Sequence, residues 1–295
     1  LGYLHTSLST VPFEPNPGSA PVSSNCPIYP ADNAWNTAVN NAPLHSNSSA
    51  FISSIGLNNK LHPDFGETQT YGIPYVVVDK NQPKVAIHFT AYGDESDPGP
   101  YPIPSNAPRE TSSDHHVIVL DKDSCLLYEL FNAAKNNDNS WNADSGAIFN
   151  LKSNALRPDY WTSADAAGLP VYPGLVKYEE VASGKINHAI RFTAPRSQKG
   201  FIHPATHFAG SNDNSLPPMG LRVRLKANYD ISQLPYQAKV IAEAMKTYGM
   251  ILADNGSAWY FTGAPNTGWK DDELNTLKAI PGSAFEAVET GPIIK

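Results

Sequence analysis

Charge is scarce in this chain: 17% of its 295 residues are Asp, Glu, Lys or Arg, against about 25% in an average soluble domain. The formal charge is −7 and no basic run occurs, which argues against a nucleic-acid partner, since phosphates need a cationic face. Nowhere do 18 apolar residues follow one another, so no membrane-spanning helix is expected. There is no G-x-S-x-G, no glycine-rich phosphate loop, no dinucleotide fingerprint and no C-x-x-C. Serine hydrolases, nucleotide enzymes and dithiol redox enzymes lose ground accordingly. Cysteine occurs only at Cys26 and Cys125. An even, minimal count predicts one disulfide closing a loop of about 100 residues. Such a bond belongs to an oxidising compartment.

Polar uncharged residues fill the difference. Asn, Ser and Thr are abundant, and proline numbers 26. Such a surface suits a protein working outside cells, where amides and hydroxyls meet neutral hydroxylated ligands. The chain starts at Leu1 rather than Met, which fits a mature secreted form whose leader has been removed. A length of 295 residues allows one large domain or two small ones.

Residues 1–30 are rich in Pro and Ser and show neither helical nor strand periodicity. They predict an extended N-terminal arm pinned at Cys26. Beyond it, strand signals dominate: YVVV (75–78), KVAIHFT (84–90), HHVIVLD (115–121), CLLYELF (125–131), HAIRFTA (188–194), LRVRLKA (221–227) and AWYFTG (258–263). Each is short, β-branched or aromatic, and bounded by turn residues. Two segments read as helices. Pro235 to Tyr248 carries an apolar stripe ending at Gly249, and Asp271 to Ala279 opens on acids and stops before Pro281. The expectation is a mainly β fold, a β-sandwich or jelly-roll with two rim helices, built as a single domain over residues 31–295.

Candidate catalytic groups come from strands and acid-rich loops. The turn Asp121-Lys122-Asp123-Ser124 predicts a hairpin with Leu120 opposite Cys125, Ile118 opposite Leu127 and His116 opposite Glu129. Opposed Cβ atoms stand about 4.5–5.5 Å apart, so imidazole and carboxylate would bond. A carboxylate that orients a histidine is the usual way to build a general base. A satisfied structural ion pair would give the same pattern. In NHAIRFT, His188 alternates with Arg191, as a base and substrate clamp or as a core histidine beside a surface arginine. His203 and His207 form H-P-A-T-H, but Pro204 disfavours the helix an i, i+4 zinc pair uses. No metal site is therefore assigned, and these histidines read as loop residues near a groove.

Glycosidic hydrolysis typically uses two carboxyl groups, about 5–5.5 Å or about 6.5–9.5 Å apart. Asp94, Glu95, Asp97, Glu129 and Asp254 are the candidates. The Asp94–Asp97 run could equally be a hydrated loop or take calcium; otherwise no cofactor is expected. Asp254-Asn255-Gly256 predicts a tight hairpin turn between MILA and AWYF. Aromatics suit the apolar faces of sugar rings: Trp141, Trp161, Tyr101 and Tyr260, with Trp259 as a core alternative. Arg222, Arg224 and Lys226 alternate onto one strand face, a basic stripe that would favour uronates if it lined a groove.

The strings PADNAWNT (30–37), LHPDFG (61–66), SDPGPYPIP (96–104), YELFNA (128–133) and YGMILADNGSAWY (248–260) resemble a family of secreted microbial proteins. The resemblance covers the chain from about residue 26. It implies an extracellular location and one intact domain, and carries no catalytic residue across.

These features point to a secreted polysaccharide-active enzyme, first a glycoside hydrolase with a polysaccharide or oligosaccharide partner. Its catalytic candidates are Glu129, His116, His188, Asp97 and Asp254, and its binding candidates are Trp161, Trp141, Tyr101, Arg191, Tyr260 and His207. The alternatives are a polysaccharide lyase with a His base and a Tyr acid, and a non-catalytic sugar-binding or surface structural protein.

Overall fold

A computed structural model describes residues 26–295; the arm expected over residues 1–30 lies, as far as residue 25, outside the described residues. Strands outnumber helices, 24% to 16%, as the short β-branched runs require. In chain order the strands are β1 (His62–Asp64), β2 (Tyr75–Val78), β3 (Ile87–Phe89), β4 (Val117–Asp121), β5 (Leu126–Phe131), β6 (Ala134–Lys135) and β7 (Trp141–Ala143). They continue with β8 (Ser145–Asn150), β9 (Ile190–Ala194), β10 (Arg222–Leu225), β11 (Met250–Asn255), β12 (Tyr260–Thr262) and β13 (Phe285–Val288). Each of the seven predicted runs contains one of them.

Three sheets result, ordered β1-β12-β9-β11-β10-β13, β2-β4-β5-β8 and β3-β7-β6. Pairing is mixed. The pairs β1·β12, β9·β11, β2·β4 and β3·β7 are parallel, whereas the strands of a jelly-roll run antiparallel.

The predicted helices form as α3 (Tyr236–Thr247) and α4 (Asp271–Asn275), the latter prolonged by a 3-10 turn over Thr276–Ala279. Gly249 closes α3 as expected: its φ is 68°, its N–H donates to Ala244 O, and a Cβ there would meet Val223 O at 2.2 Å. Two helices were not foreseen, α1 (Ser48–Ile55) and α2 (Tyr178–Ala182). Nor is α3 a rim element, since Ala238, Val240, Ile241, Ala242, Ala244 and Met245 are all buried. Among the described residues no helix is long and apolar enough to cross a membrane.

The β4–β5 hairpin exists, but its register corrects the expected one. Asp121 pairs with Leu126, Leu120 with Leu127 and Ile118 with Glu129. The loop is Lys122–Cys125 rather than Asp121–Ser124, because Asp121 accepts from the N–H groups of Asp123 and Ser124 while Cys125 takes a φ of 59°. A shift of two residues preserves which side chains share a face. Ile118, Leu120 and Leu127 therefore pack into the main core, and Val117, Val119, Tyr128 and Leu130 into a second, smaller one. His116 loses Glu129 as its direct opposite and neighbours the Phe131 ring instead, 5.8 Å between centroids.

Cys26 and Cys125 are bonded, with a Cα–Cα distance of 5.4 Å and a sequence separation of 99. The bond ties the first described residue to the β4–β5 turn. Reducing it, or replacing both cysteines with Ser, is expected to cost about 2–4 kcal/mol, mostly by freeing the unfolded chain. Thermal denaturation with and without reductant, alongside thiol titration, checks this. An unchanged midpoint, or two free thiols in oxidised protein, would count against it.

Among the described residues, the basic stripe that begins on β10 is engaged by crossing segments and lines neither of the two cavities that Asp254 lines. Arg222 donates to Tyr248 O and Ala34 O, Arg224 to Glu286 and to Val39 O and Ala42 O, and Lys226 to Ser283 O. These cations satisfy backbone carbonyls where loops cross the sheet. Nothing in their placement favours an acidic polymer.

Candidate functional site

The central element is β9, where Ile190, Phe192 and Ala194 enter the main core. Period-two alternation sends Arg191 and Thr193 to the other face. Asp64 on β1 pairs with Thr262 on β12, and Phe261 pairs with Phe192. The row Asp64–Thr262–Arg191 therefore runs across one face of three strands, and Arg191 Nη1 donates to Thr262 Oγ1 at 2.7 Å.

Asp254 reaches the same face by an irregularity. Leu252 pairs with Phe192, but Asp254 rather than Ala253 pairs with Thr193. Without that bulge, Asp254 would share the face of the apolar Phe192 and Ala194; one inserted residue turns it over.

The hairpin expected at Asp254-Asn255-Gly256 is also corrected. β9 lies between β11 and β12, so residues 255–259 cross over its end. Gly256 N donates to Ala194 O, Trp259 N to Thr193 O, and Thr193 Oγ1 to Ser257 O. That crossing makes a wall.

Below the wall lies a cavity of ≈ 240 Å³ lined by Asp64, Glu110, Asp114, His116, Arg191, Thr193, Asp254, Asn255, Ser257, Tyr260 and Thr262, among others. A second, of ≈ 180 Å³, is lined by Tyr92, Phe131, Ser145, Asp165, His207 and Asp254 among others. Asp254 belongs to both, so it stands where the two meet.

Two buried ion pairs set the electrostatics. Arg191 donates to Asp165 through Nε and Nη2, each at 3.1 Å, and both side chains are almost wholly enclosed. Burial pushes the Asp165 carboxyl up to about 7 against the pull of the guanidinium, and the two-point contact is the geometry of an Arg–carboxylate pair. His116 Nδ1 lies 2.5 Å from Glu110 Oε2, and its Nε2 lies 2.8 Å from Ala164 O. Both partners are acceptors, so both ring nitrogens carry hydrogen. Burial opposes that charge, but the Glu110 bond raises the imidazole to about 9. Burial likewise opposes ionisation of Glu110, yet His116 holds it down to about 2. His116 is thus a fixed cation here, with no lone pair left for base catalysis.

The linkage has a definite sign. His116, raised above its usual value, contributes stability that is present below about pH 6.5 and is lost as pH rises through 9. Glu110, depressed, contributes stability present above its usual value of 4.5 and lost as pH falls toward 2. The stability difference between wild type and Glu110→Gln should be greatest between pH 4.5 and 6.5 and shrink on both sides. Denaturant melts across pH check this. A difference independent of pH would contradict it.

Asp254 and Asp64 lie outside both ion pairs. Burial raises each: Asp254 despite Arg191, and Asp64 with help from the Glu110 charge. The two stand three strands apart, about 14 Å at backbone level, so they bracket Arg191 rather than touch. The Asp114 charge adds to the rise at Asp254, and Asp254 in turn raises Asp165.

Of the expected residues, His116, Arg191, Asp254 and Tyr260 gather at the first cavity, and His207 at the second. Tyr260 stacks on His62 with centroids 4.0 Å apart. His207 Nδ1 lies 2.8 Å from Ala166 O, while His203 pairs elsewhere with Asp159. The other expected residues lie apart from both cavities. Glu129 is fully buried and accepts from the N–H groups of Val171 and Tyr172; burial raises it to about 7 against those bonds. Its work is to anchor the loop that carries Asp165. Asp97 receives Ile148 N and Arg157, and Glu95 receives Thr162 N, so protein donors occupy these two carboxylates of the acid-rich loop. His188 sits between Glu180 and Ala189 O, lining a separate open hollow.

Trp141 and Tyr101 are no sugar platforms, because both are buried in the smaller core, Tyr101 donating to Asp97 O. Trp161 is half-buried under the Arg157 guanidinium and lines neither cavity. Trp259 is fully buried in the main core.

Asp64, Glu110, Asp114 and Asp165 were not foreseen as site residues. The one signal was Glu110-Thr-Ser-Ser-Asp114-His-His116, two acids in a loop running into a histidine at a strand start. No family model matches the chain, and no curated protein or solved structure does either. Among the described residues, no three His, Cys, Asp or Glu side chains form a metal-ligand group.

Proposed function

We propose that this is a secreted glycoside hydrolase acting on an extracellular glycan, with Asp254 as its general acid. The supporting observation is the placement of Asp254: bulged out of β11 to the junction of two adjoining cavities, with its carboxyl raised by burial. A raised carboxyl keeps its proton at mildly acid pH and can pass it to a leaving glycosidic oxygen. Asp114, near enough for its charge to act on Asp254, supplies the second carboxyl group. The glycosidic C–O bond breaks as the Asp254 proton moves to the departing oxygen; water adds to the anomeric carbon while the Asp114 carboxylate takes its proton, and proton exchange with solvent returns both groups to their starting forms. Arg191 and His116 fix the local field from pairs that cannot swing away. The disulfide and the uncharged polar surface support secretion.

A panel of glycans assayed for new reducing ends tests the reading. Reducing ends without the absorbance of unsaturated uronates support hydrolysis, and both together would mean a lyase. Binding without turnover would replace the enzyme with a sugar-binding protein.

A further inference from the structure

In the string LHPDFG (61–66), Leu61 and Phe65 enter the main core while His62 and Asp64 stay partly buried. β1 runs parallel to β12 and pairs His62 with Tyr260 and Asp64 with Thr262. Phe261 is buried in the main core, so alternation puts Tyr260 and Thr262 on the opposite face. Thr262 accepts from Arg191 on that face, and Tyr260, Thr262 and Arg191 all line the first cavity. His62 therefore stands beside Tyr260 on the cavity's face of the sheet, in the row next to Asp64 and Thr262.

The two rings of that row lie face to face, 4.0 Å between centroids and 2° between planes. Burial and Lys278 hold the His62 imidazole below its usual value, so at neutral pH it stacks as an uncharged ring. Among the described residues neither of its ring nitrogens has a hydrogen-bond partner, which leaves the stack as the ring's one engagement there. The Tyr260 hydroxyl is likewise unbonded among the described residues, at the end of a ring that lines the cavity.

We propose that His62 is a positioning residue of this cavity: its imidazole braces the Tyr260 ring so that the phenol hydroxyl donates to an oxygen of the bound glycan. A partner laid over one ring face restrains both side-chain torsions of Tyr260. The ring is then ordered before the ligand arrives, which lowers the entropic cost of binding. With that face covered, the group Tyr260 offers is its hydroxyl, so Tyr260 contacts the glycan and His62 acts through Tyr260. The proposal rests on the reading of the cavity as a glycan site, and adds a residue to it.

The test is a double-variant cycle on the intact protein, with cellohexaose, xylohexaose and chitohexaose as probes. Calorimetry gives affinity, release of reducing ends gives KM and kcat, and melting curves report whether each variant is folded. Tyr260→Phe removes the hydroxyl and keeps the ring, whereas His62→Ala removes the brace. Each is expected to weaken binding of a hexaose by about five- to tenfold, with a rise in KM larger than any fall in kcat. The double variant should bind no more weakly than Tyr260→Phe alone, because His62 acts only through that hydroxyl. His62→Phe restores a stacking ring and should return affinity to within about twofold of wild type. Wild-type affinity in His62→Ala, losses that multiply in the double variant, or no rescue by His62→Phe would overturn the proposal. So would failure of every hexaose to bind wild type, or a lower melting temperature in His62→Ala with affinity unchanged, which would make the stack structural. Binding that obeys the cycle without release of reducing ends would end the hydrolase reading and leave this one standing. Hydrolysis of a hexaose with unchanged KM in His62→Ala would do the reverse.

Discussion

Asp254→Asn is expected to lower turnover by about 10²–10⁴, the range for loss of an acid–base group, with little change in melting temperature. Asn keeps the shape and can still accept from the neighbouring Asn255 N–H, which now reaches Asp254 Oδ1 at 2.6 Å, but it has no proton to give. Because burial raises the wild-type carboxyl, the acid stays protonated to higher pH than an exposed aspartate. Turnover should therefore hold through mildly acid pH and fall as pH rises past the shifted value. Initial rates across pH, for both proteins, decide the matter. Wild-type activity in Asp254→Asn would remove this residue from the mechanism, and an unchanged alkaline limb in a weakly active variant would assign that limb to another group.

Asp165→Asn is expected to destabilise the protein by about 3–5 kcal/mol, because it leaves the buried Arg191 guanidinium without its counter-charge. For a chain of this size that corresponds to a fall in midpoint of roughly 10 °C. The pair is nearly excluded from solvent, with Asp165 1% and Arg191 4% exposed, so water cannot replace the lost partner. Replacing both groups with apolar residues of similar volume, Asp165→Leu with Arg191→Met, should recover most of that stability. Activity should not return with it, since Arg191 also lines the cavity and holds Thr262. Melting and rate measurements on single and double variants separate the two effects. A single variant as stable as wild type would show that the pair contributes little to stability.

Part of the site was legible before folding. Arg191, His116, Asp254, Tyr260 and His207 were singled out from strand alternation, turn chemistry and residue type, and the fold brings them to two adjoining cavities. Their partners were not legible. Glu110 and Asp165 sit in loops without periodicity, so no spacing rule connects them to His116 or Arg191. The pairing of His116 with Glu129 failed for a local reason: a hairpin's register depends on which four residues form its loop, and Cys125 takes the left-handed position. Trp141 and Tyr101 misled because polar neighbours in sequence do not say which side chains the fold covers.

The amino-acid sequence alone decided the mainly β class, the seven strand positions, the two longest-patterned helices and the disulfide partners. Each follows from short-range periodicity, turn residues or simple counting. Only the tertiary structure decided that β9 enters between β11 and β12, that a one-residue bulge turns Asp254 over, and that Asp64, the loop carrying Glu110 and Asp114, and Asp254 line one cavity with Arg191 and His116. Strand order and register are settled by which apolar faces bury together, and that is a property of the whole chain. A pattern of residues along one strand says what must be covered, but not by which element, nor which charged groups are carried in with it.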